Sequence, residues 1–415
     1  MNFLIINHYA GSDHYGMEFR PLYLGRELVK LGHEVTVLAA DHSHLRAVNP
    51  DIPRDFTEEW TDGVRYVWLK TPAYRKNDLY RFLNMASFLH KLKANSRKIY
   101  ESYRPDVIVA SSTYPYDVKA AQKIAAHGEK VRVCYEIHDV WPLSLIELYG
   151  LSPKNPYMRS LQKAENHAYR TVDLVISILP DVDRHICELG FEDLPYLHIP
   201  NGVVMEEGHF QPAPPHITEE IGRLHREGRF VLLYLGGFSK ANALDDLLKA
   251  AEEMPDPVHL VLVGSGPLKA EYERIVREKR LTNVSILPLV TKLQVNRTLA
   301  CADGLYIGAK RTPLYRFGVG MNKIFDYMLA ERPILYAIEA SNNPVQEADC
   351  GISIPPEDPS AIAEAAGRLA ALPSSERERM GRNGRRYVEE HHDYRKLAER
   401  FAAAFDTDFQ YSRHT

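Results

Sequence analysis

Short runs of apolar and β-branched residues alternate along this chain with longer stretches of helical periodicity, and the pattern occurs twice. The runs predicted to be strands in the first half are Phe3–Ile6, Glu34–Leu38, Val64–Leu69, Asp106–Val109, Val131–Ile137 and Asp173–Ile178. Those in the second half are Phe230–Leu235, Val258–Val263, Val284–Leu287 and Gly304–Ile307. A helix between two strands returns the chain to the same end of the sheet, so such strands pair in parallel. The sequence therefore predicts an α/β protein with two parallel sheets.

The length of the chain and a proline-rich stretch near its middle predict two domains. A chain of 415 residues exceeds the usual size of a single domain. We predict Rossmann-like domains over 1–200 and 229–390, joined by a linker over 201–228 that contains a cluster of prolines. The remaining residues, 391–415, are predicted to be helical with no further strand. Ligands of such folds bind at the carboxyl ends of the strands, so we expect the site in a cleft between two facing domains.

Composition excludes several classes of protein. The formal net charge of −4 argues against a nucleic-acid binder, which needs a surplus of Lys and Arg to neutralise phosphates. The longest apolar runs fall short of the roughly 18 residues of a membrane-spanning helix. The chain starts with a strand-like run rather than a secretory signal, and its four cysteines lie far apart. We expect a cytoplasmic protein with reduced cysteines.

The segment Tyr315–Met328 is the strongest candidate for a ligand site. Gly318 and Gly320 allow the backbone to bend closely around a ligand, and a helix is predicted to begin near Asn322. The free amides at a helix N-terminus form an anion site, so a diphosphate would fit there.

Three side chains of the same segment carry charge that suits a nucleotide. Arg316 and Lys323 would add positive charge, and Asp326 would accept hydrogen bonds from a sugar diol. The alternative is a glycine-containing loop followed by an amphipathic helix whose Asp and Lys face water. The pattern alone does not separate the two interpretations.

Two further glycine turns follow predicted strands. Leu235–Lys240 ends a buried strand at a position where α/β folds bind phosphates, and Lys240 would supply a positive charge. The alternative is an ordinary connection with an exposed lysine. Val263–Pro267 lacks the third glycine of a dinucleotide fingerprint and is a weak argument for NAD.

Polar residues also follow two strands of the first half. His138 and Asp139, within Tyr135–Pro142, form a pair suited to proton or charge chemistry at a strand end. The loop His8–Gly16 is polar and contains glycine, as expected of a loop that lines a cleft. The alternatives are a histidine hydrogen-bonded at a loop edge and an ordinary surface connection.

The segment Tyr74–Arg104 is strongly basic. It contains eight Lys or Arg residues and two acidic residues, with apolar residues at helical spacing. A basic amphipathic helix is typical of peripheral contact with an anionic membrane. The alternative is a domain helix with one buried stripe and a solvated basic face.

Several motifs of this chain resemble the family 4 glycosyltransferases of the GT-B fold, which are retaining nucleotide-sugar enzymes. The opening segments and the motif after the predicted fifth strand are similar to members in polysaccharide and O-antigen synthesis. The motifs that carry the resemblance are Asn7–Tyr9, Gly16–Arg20, Gly32–Thr36, Glu136–Pro142, Ile199–Val203, Tyr315–Pro333 and Gly351–Pro359.

The resemblance implies a role for individual residues. The donor would contact Gly237, Ser239, Lys240, Arg316, Gly318, Val319, Gly320, Asn322, Lys323 and, at the ribose, Asp326, with Pro288–Val290 beside the base. The acceptor side would include Gly11, His14, Tyr15 and Gly16, and the catalytic residues would be His138, Asp139 and Lys240. The last helix of such a fold crosses back onto the N-terminal domain.

The resemblance predicts a retaining glycosyltransferase without a metal or cofactor. Its donor would be a nucleotide sugar, UDP favoured over GDP, and its acceptor a glycan or lipid-linked glycan in surface polysaccharide synthesis. The predicted location is the cytoplasm, with peripheral contact at the inner membrane face. The alternatives are a nucleotide-sugar 2-epimerase of the same fold, and a non-catalytic nucleotide-sugar-binding protein, since Gly237 and Gly318 stand in positions that are usually charged.

Overall fold

The computed structural model describes residues 1–74 and 79–406. Within this part the chain forms two compact units. The first comprises Met1–Asn201 together with the segment that begins at Tyr394, and the second comprises Gly202–Asp393.

The first unit contains one eight-stranded sheet. Its strands are β1 (Asn2–Ile6), β2 (Glu34–Ala40), β3 (Thr57–Thr61), β4 (Val64–Leu69), β5 (Val107–Ala110), β6 (Arg132–Ile137), β7 (Leu174–Ser177) and β8 (Tyr196–His198). Their order is β3-β4-β2-β1-β5-β6-β7-β8, and the pairs are parallel except β3 with β4. The predicted strands are all present. The sheet also has β3 and β8 at its two edges, where short strands carry a weaker pattern.

The helices of the first unit follow the strands as the alternating pattern predicts. They are α1 (Arg20–Lys30), α2 (Leu79–Ala94), α3 (Ser96–Tyr103), α4 (Val118–Ala125), α5 (Leu143–Tyr149), α6 (Pro156–Thr171) and α7 (Val182–Glu188). Helix α1 has proline at its start and stops before Gly32, whose φ of 87° only glycine adopts readily.

The second unit contains one six-stranded parallel sheet. Its strands are β9 (Phe230–Gly237), β10 (Val258–Ser265), β11 (Val284–Leu287), β12 (Gly304–Gly308), β13 (Ile334–Ala337) and β14 (Gly351–Ser353), in the order β11-β10-β9-β12-β13-β14. Its helices are α8 (Pro215–Arg226), α9 (Leu244–Ala250), α10 (Lys269–Glu278), α11 (Val295–Leu299), α12 (Asn322–Leu329), α13 (Pro344–Glu347), α14 (Pro359–Ala371) and α15 (Ser374–His391).

The stretch 201–228, predicted as a linker, belongs to the second unit. Helix α8 lies within it, and its side chains Ile217, Ile221 and Leu224 are buried in the core of that unit. Apolar residues spaced four and three apart form one face of a helix, so this stretch packs as an element although its prolines indicate a boundary. The last of these prolines, Pro215, is the first residue of the helix, where proline is tolerated.

The C-terminal segment returns to the first unit. Helix α16 (Tyr394–Ala403) packs on α1, with the rings of Tyr23 and Tyr394 5.6 Å apart. Phe401 and Phe405 both approach Phe3 of β1, with ring centroids 5.8 Å apart in each pair. The chain passes between the units at Tyr394, three residues after the predicted boundary, and residues 407–415 lie outside the described residues.

The basic segment 74–104 forms two helices that meet at Asn95. Residues 75–78, including Arg75 and Lys76, lie outside the described residues. Several of the other basic side chains already have partners: Lys91 pairs with Asp55, and Arg97 pairs with Glu101. None of the helices that the structure describes is long and apolar enough to cross a membrane.

None of the four cysteines, all of which lie within the described residues, forms a disulfide bond. Cys134 and Cys350 are buried, as expected of core residues, whereas Cys187 is exposed on α7.

Candidate functional site

Two glycine turns pack against each other at the carboxyl ends of β9 and β10. The Phe238 amide donates to the Ser265 carbonyl oxygen at 2.8 Å. A Cβ atom on Gly264 would lie 2.0 Å from the Gly236 carbonyl oxygen, and one on Gly266 would lie 2.5 Å from the Phe238 carbonyl oxygen. Gly264 near the end of β10 and Gly266 just after it are therefore required for the contact between the two turns.

Two side chains that sequence analysis did not single out shape the first of these turns. The carbonyl oxygen of Gly237 accepts hydrogen bonds from Tyr234 Oη at 2.8 Å and from Asn242 Nδ2 at 2.9 Å. Asn242 Nδ2 also donates to Ser239 Oγ at 3.0 Å. These bonds fix the backbone from 237 to 239, the stretch predicted to approach a phosphate.

Lys323 connects the first turn of α12 to the same glycine turn. Its Nζ donates to Asn242 Oδ1 at 2.9 Å and to Tyr234 Oη at 3.0 Å, and it lies 4.5 Å from the centre of the Tyr234 ring. A Cβ atom on Gly236 would lie 2.9 Å from Lys323 Cε, so glycine makes room for the lysine. Burial disfavours the ammonium form and lowers the pKa of Lys323 to about 7.

The segment before α12 is held in a shape that leaves the start of the helix open. Gly318 has a φ of 91°. The side chain of Asn342 forms two hydrogen bonds with the backbone of Val319: its Oδ1 accepts from the amide at 2.8 Å, and its Nδ2 donates to the carbonyl oxygen at 3.1 Å. Met321 at the N-cap position supplies no capping side chain. The first-turn amides, beginning at Asn322, therefore have the arrangement that suits an anion.

Asp326 lies one turn into α12 and forms an ion pair with Lys292. Lys292 Nζ lies 2.7 Å from Asp326 Oδ1 and 2.6 Å from Oδ2. Lys292 lies two residues after Val290, the end of the segment Pro288–Val290 that was predicted to border a base. The structure thus places the predicted ribose residue beside the predicted base segment. Sequence analysis missed Lys292, because no local pattern indicates its partner 34 residues away.

Two other predicted donor residues lie at the surface of the second unit. Lys240 begins a short 3-10 turn over Lys240–Asn242 and its side chain is exposed. Arg316 is also exposed, donates to the carbonyl oxygen of Pro313 at 2.7 Å, and lies 4.3 Å from the centre of the Phe317 ring. Lys323, by contrast, shares its partners Tyr234 and Asn242 with the carbonyl oxygen of Gly237 in the glycine turn.

In the first unit, a buried polar network surrounds His138 at the end of β6. Its Nε2 lies 3.1 Å from Glu136 Oε2 and 3.0 Å from Ser111 Oγ. Arg20, the first residue of α1, donates to Glu136 Oε1 from Nη2 at 2.9 Å. On the other side of the ring, His138 Nδ1 lies 3.9 Å from Glu18 Oε2.

The network decides the charge of its members. Burial favours the neutral forms, but the Arg20 guanidinium and the hydrogen bonds of His138 and Ser111 hold the pKa of Glu136 well below its ordinary value. Burial likewise opposes the imidazolium, yet the hydrogen bond and charge of Glu136, with the charge of Glu18, raise the pKa of His138. The site therefore presents a partly exposed histidine biased toward the cation. Glu18, Arg20 and Ser111 were not predicted as site residues.

Asp139 organises the loop after β6. Its carboxylate accepts hydrogen bonds from the Val140 amide at 2.9 Å, from Trp141 Nε1 at 3.2 Å and from the Ser144 hydroxyl. Burial of the carboxyl group raises the pKa of Asp139. These bonds support a positioning role for Asp139 beside His138.

The predicted acceptor-side residues form a closed loop between β1 and α1. A Cβ atom on Gly11 would lie 1.9 Å from the Gly16 carbonyl oxygen, and Gly16 has a φ of 98°. Tyr15 Oη donates to Glu59 Oε2 at 3.0 Å, and His14 is exposed with its ring 4.8 Å from that of Tyr15. Gly11 and Gly16 thus shape the loop, and His14 is its exposed side chain.

Solved structures that superimpose on nearly the whole chain include a sucrose-phosphate synthase and a protein in complex with UDP and glucose. Sucrose-phosphate synthase from Thermosynechococcus elongatus superimposes with a TM-score of 0.73 at 17% identity, covering 98% of both chains. The HepE protein of Anabaena in complex with UDP and glucose superimposes with a TM-score of 0.66 at 15% identity, covering 98% of this chain and 100% of HepE. The fold is GT-B, with two Rossmann-like domains.

Family models cover both units of the chain. The glycosyl transferase 4-like domain matches residues 15–202, and the glycosyl transferases group 1 domain matches residues 229–371. The chain belongs to the family 4 glycosyltransferases of the GT-B fold. A curated relative, the putative colanic acid biosynthesis glycosyl transferase WcaI of Escherichia coli K12, is 23% identical over 279 residues, which span 63% of this chain and 65% of the relative.

Proposed function

We propose that the protein is a retaining, metal-independent glycosyltransferase that moves a sugar from a nucleotide-diphosphate sugar, UDP favoured over GDP, to an acceptor hydroxyl. The observation that carries the proposal is the uncapped start of α12, where Lys323 bonds Tyr234 and Asn242, the two side chains that also bond the glycine turn at the end of β9. Backbone amides and a lysine gathered at one point can stabilise the charge that develops on a departing diphosphate.

The diphosphate would lie between the first turn of α12 and the backbone of Gly237–Ser239. Lys323 would be its nearest cation, and the exposed side chains of Lys240 and Arg316 would add charge from the surface. Together these groups would supply the positive charge that a divalent cation supplies in other transferases. No group of three His, Cys, Asp or Glu in residues 1–74 and 79–406 has the geometry of a metal site.

The nucleoside would bind beside Asp326 and the segment after β11. Asp326 would accept hydrogen bonds from the ribose hydroxyls, and Pro288–Val290 would border the base. The preference for uridine is supported by HepE, whose structure contains UDP and glucose, and by a trehalose-6-phosphate enzyme of E. coli bound with UDP-2-fluoro glucose. Both proteins share the fold of this chain.

His138 would act on the transferred sugar. In a front-face displacement the acceptor hydroxyl attacks the anomeric carbon as the bond to the leaving phosphate breaks, and the hydroxyl proton passes to that phosphate. A histidine biased toward the cation by Glu136 would orient the sugar and stabilise negative charge near it. Asp139 would hold the loop in place, and His14 would face the acceptor.

The acceptor would be a glycan or lipid-linked glycan of surface polysaccharide synthesis. The name of the relative WcaI, which refers to colanic acid biosynthesis, supports this proposal. Such an enzyme would work in the cytoplasm, with peripheral contact between residues 74–104 and the anionic inner face of the membrane.

Calorimetric titration with UDP, GDP and NAD, each in the presence of EDTA, tests the proposal. We expect UDP to bind without metal, GDP more weakly and NAD not at all. Binding of NAD alone would contradict the function while leaving the fold intact. Loss of UDP binding in EDTA that returns with Mg²⁺ would contradict metal independence. Product analysis of the nucleotide sugar without acceptor then separates a transferase from a 2-epimerase, which would isomerise the sugar.

A further inference from the structure

A cavity of about 770 Å³ opens in the first unit, and Gly11–Gly16 are not among its lining residues. Its lining residues His44, Thr113 and Asp139 follow the carboxyl ends of β2, β5 and β6. Ligands of parallel sheets bind at this edge. The rest of the wall is mainly apolar and comes from α2, α5 and the start of α6.

The mouth of the cavity is surrounded by exposed apolar side chains. Leu79 and Phe82 on α2 are 68% and 49% exposed, and Leu148 and Tyr149 at the end of α5 are 51% and 71% exposed. Among the described residues, seven of the twelve large apolar side chains that are exposed belong to 79–83 or 148–151. Soluble proteins rarely gather apolar side chains in this way unless the surface binds something.

Positive charge lies in and beside this apolar surface. Arg81 belongs to the cavity wall, with its guanidinium 5.9 Å from the centre of the Tyr9 ring. On α6, the exposed side chains of Arg159 and Lys163 border a neighbouring groove next to Pro142. An apolar wall with basic groups complements an amphiphile that has a long apolar chain and an anionic head.

The loop after β6 belongs both to the cavity and to the candidate catalytic site. Asp139, which directly follows His138 in the chain, is part of the cavity wall. Its carboxylate bonds Trp141 and Ser144 of the same wall.

We propose that this cavity binds the apolar chain and adjacent phosphate of a lipid-linked acceptor. The proposal rests on the proposed function, because an acceptor exists only if the protein transfers a sugar. It assigns recognition of the acceptor's lipid part to Phe82, Leu148 and their neighbours, and leaves the loop from Gly11 to Gly16 to the sugar part of the acceptor. The proposal also gives the apolar residues of 79–83 a role in ligand binding. The amphipathic pattern of α2 alone did not decide between membrane contact and a buried stripe.

Decyl phosphate is a soluble probe for this site, with decanol and inorganic phosphate as its two halves. By calorimetry below the micelle concentration, we expect saturable binding of one decyl phosphate, and binding of either half at least about tenfold weaker. Inorganic phosphate lacks the methylenes that the cavity would bury, and decanol lacks the anionic head that Arg81 would attract. Phe82→Ser and Leu148→Ser should each weaken decyl phosphate binding. Trp60→Ser, which removes an exposed aromatic ring from β3, is the matched control and should bind as the wild type does.

UDP titration of the same samples distinguishes failure of the cavity assignment from failure of the proposed glycosyltransferase function. Phe82 lies in the first unit and the proposed UDP groups in the second, so folding of Phe82→Ser is checked by its circular dichroism spectrum and urea unfolding curve. Where both match the wild type, loss of decyl phosphate binding supports the cavity assignment. UDP binding by a wild-type protein that does not bind decyl phosphate would overturn the assignment and leave the proposed function standing. Sedimentation with phosphatidylglycerol vesicles but no saturable binding of decyl phosphate would also overturn it, in favour of a bilayer-docking surface.

Discussion

Lys292 Nζ contacts both carboxylate oxygens of Asp326, at 2.7 and 2.6 Å. Asp326 is the residue proposed to hold the ribose, so in the free protein a lysine occupies the position that the sugar hydroxyls would take. The two side chains are about one-fifth exposed, at 22% and 21%. An ion pair at that depth contributes about 1 kcal/mol or less, so a ribose diol can replace or share it.

Asp326→Ala should weaken UDP binding by about tenfold or more, because hydrogen bonds to a charged group contribute about 1.5–3 kcal/mol each. Inorganic diphosphate, which has no ribose, should bind this variant as it binds the wild type. Calorimetry with both ligands measures the effect. Lys292→Met is the control, since it keeps the carboxylate and should change UDP affinity much less. Equal losses for UDP and inorganic diphosphate would contradict a ribose contact.

UDP affinity should fall as the pH rises from 7 to 9. Burial lowers the pKa of Lys323 to about 7, so above that pH the free protein holds a neutral amine that must take up a proton to meet the diphosphate. The terminal phosphate of UDP has a pKa of about 6 and is already ionised in this range. Titration in two buffers of different ionisation enthalpy should show proton uptake on binding. Lys323→Met should abolish this proton uptake. If the uptake is unchanged in that variant, another group takes up the proton.

His138→Ala should lower the rate of transfer and leave UDP affinity unchanged, because His138 belongs to the first unit and the proposed diphosphate groups to the second. Its raised pKa means that the imidazolium persists above pH 6.5 and is lost as the pH rises through the value in the folded protein. Ring NMR signals of His138 should therefore titrate above the ordinary range, and Glu136→Gln should lower that pKa. Full transfer activity of His138→Ala would assign the residue a structural role.

Arg20→Met should destabilise the first unit by about 3–5 kcal/mol, because it leaves the Glu136 carboxylate buried without its main counter-charge. Urea unfolding followed by circular dichroism measures the loss. The double variant Arg20→Met, Glu136→Leu should recover part of it, since no unpaired charge remains. Equal stability of the single and double variants would contradict this explanation.

Most of the secondary structure could be predicted from the chain alone, because strand and helix periodicity are local properties. All ten predicted strands are present within a few residues, and the helix predicted near Asn322 begins there. The strands β3, β8, β13 and β14 and the helix α8 were not predicted. These strands are short, and α8 follows prolines that also mark boundaries.

The candidate site could be predicted only in part. Glycine turns and a helix start are visible in a short window of sequence, and they led to Gly237, Gly318 and Lys323. Asn242 lies 81 residues from Lys323, and Arg20 lies 116 residues from Glu136. Hydrogen bonds between residues so far apart cannot be predicted from the periodicity of a short stretch of sequence.

The exposed apolar side chains at 79–83 also show which properties local sequence predicts and which depend on packing. Their helical spacing is a property of the chain, but burial depends on what packs against the helix. Met85, Phe88 and Leu92 of α2 are buried, whereas Leu79 and Phe82 are exposed. Local sequence specified the elements of this protein and the turns that end them. Which charges pair, which lysine meets the glycine turn and which apolar face stays open depend on long-range packing, because folding alone brings those residues together.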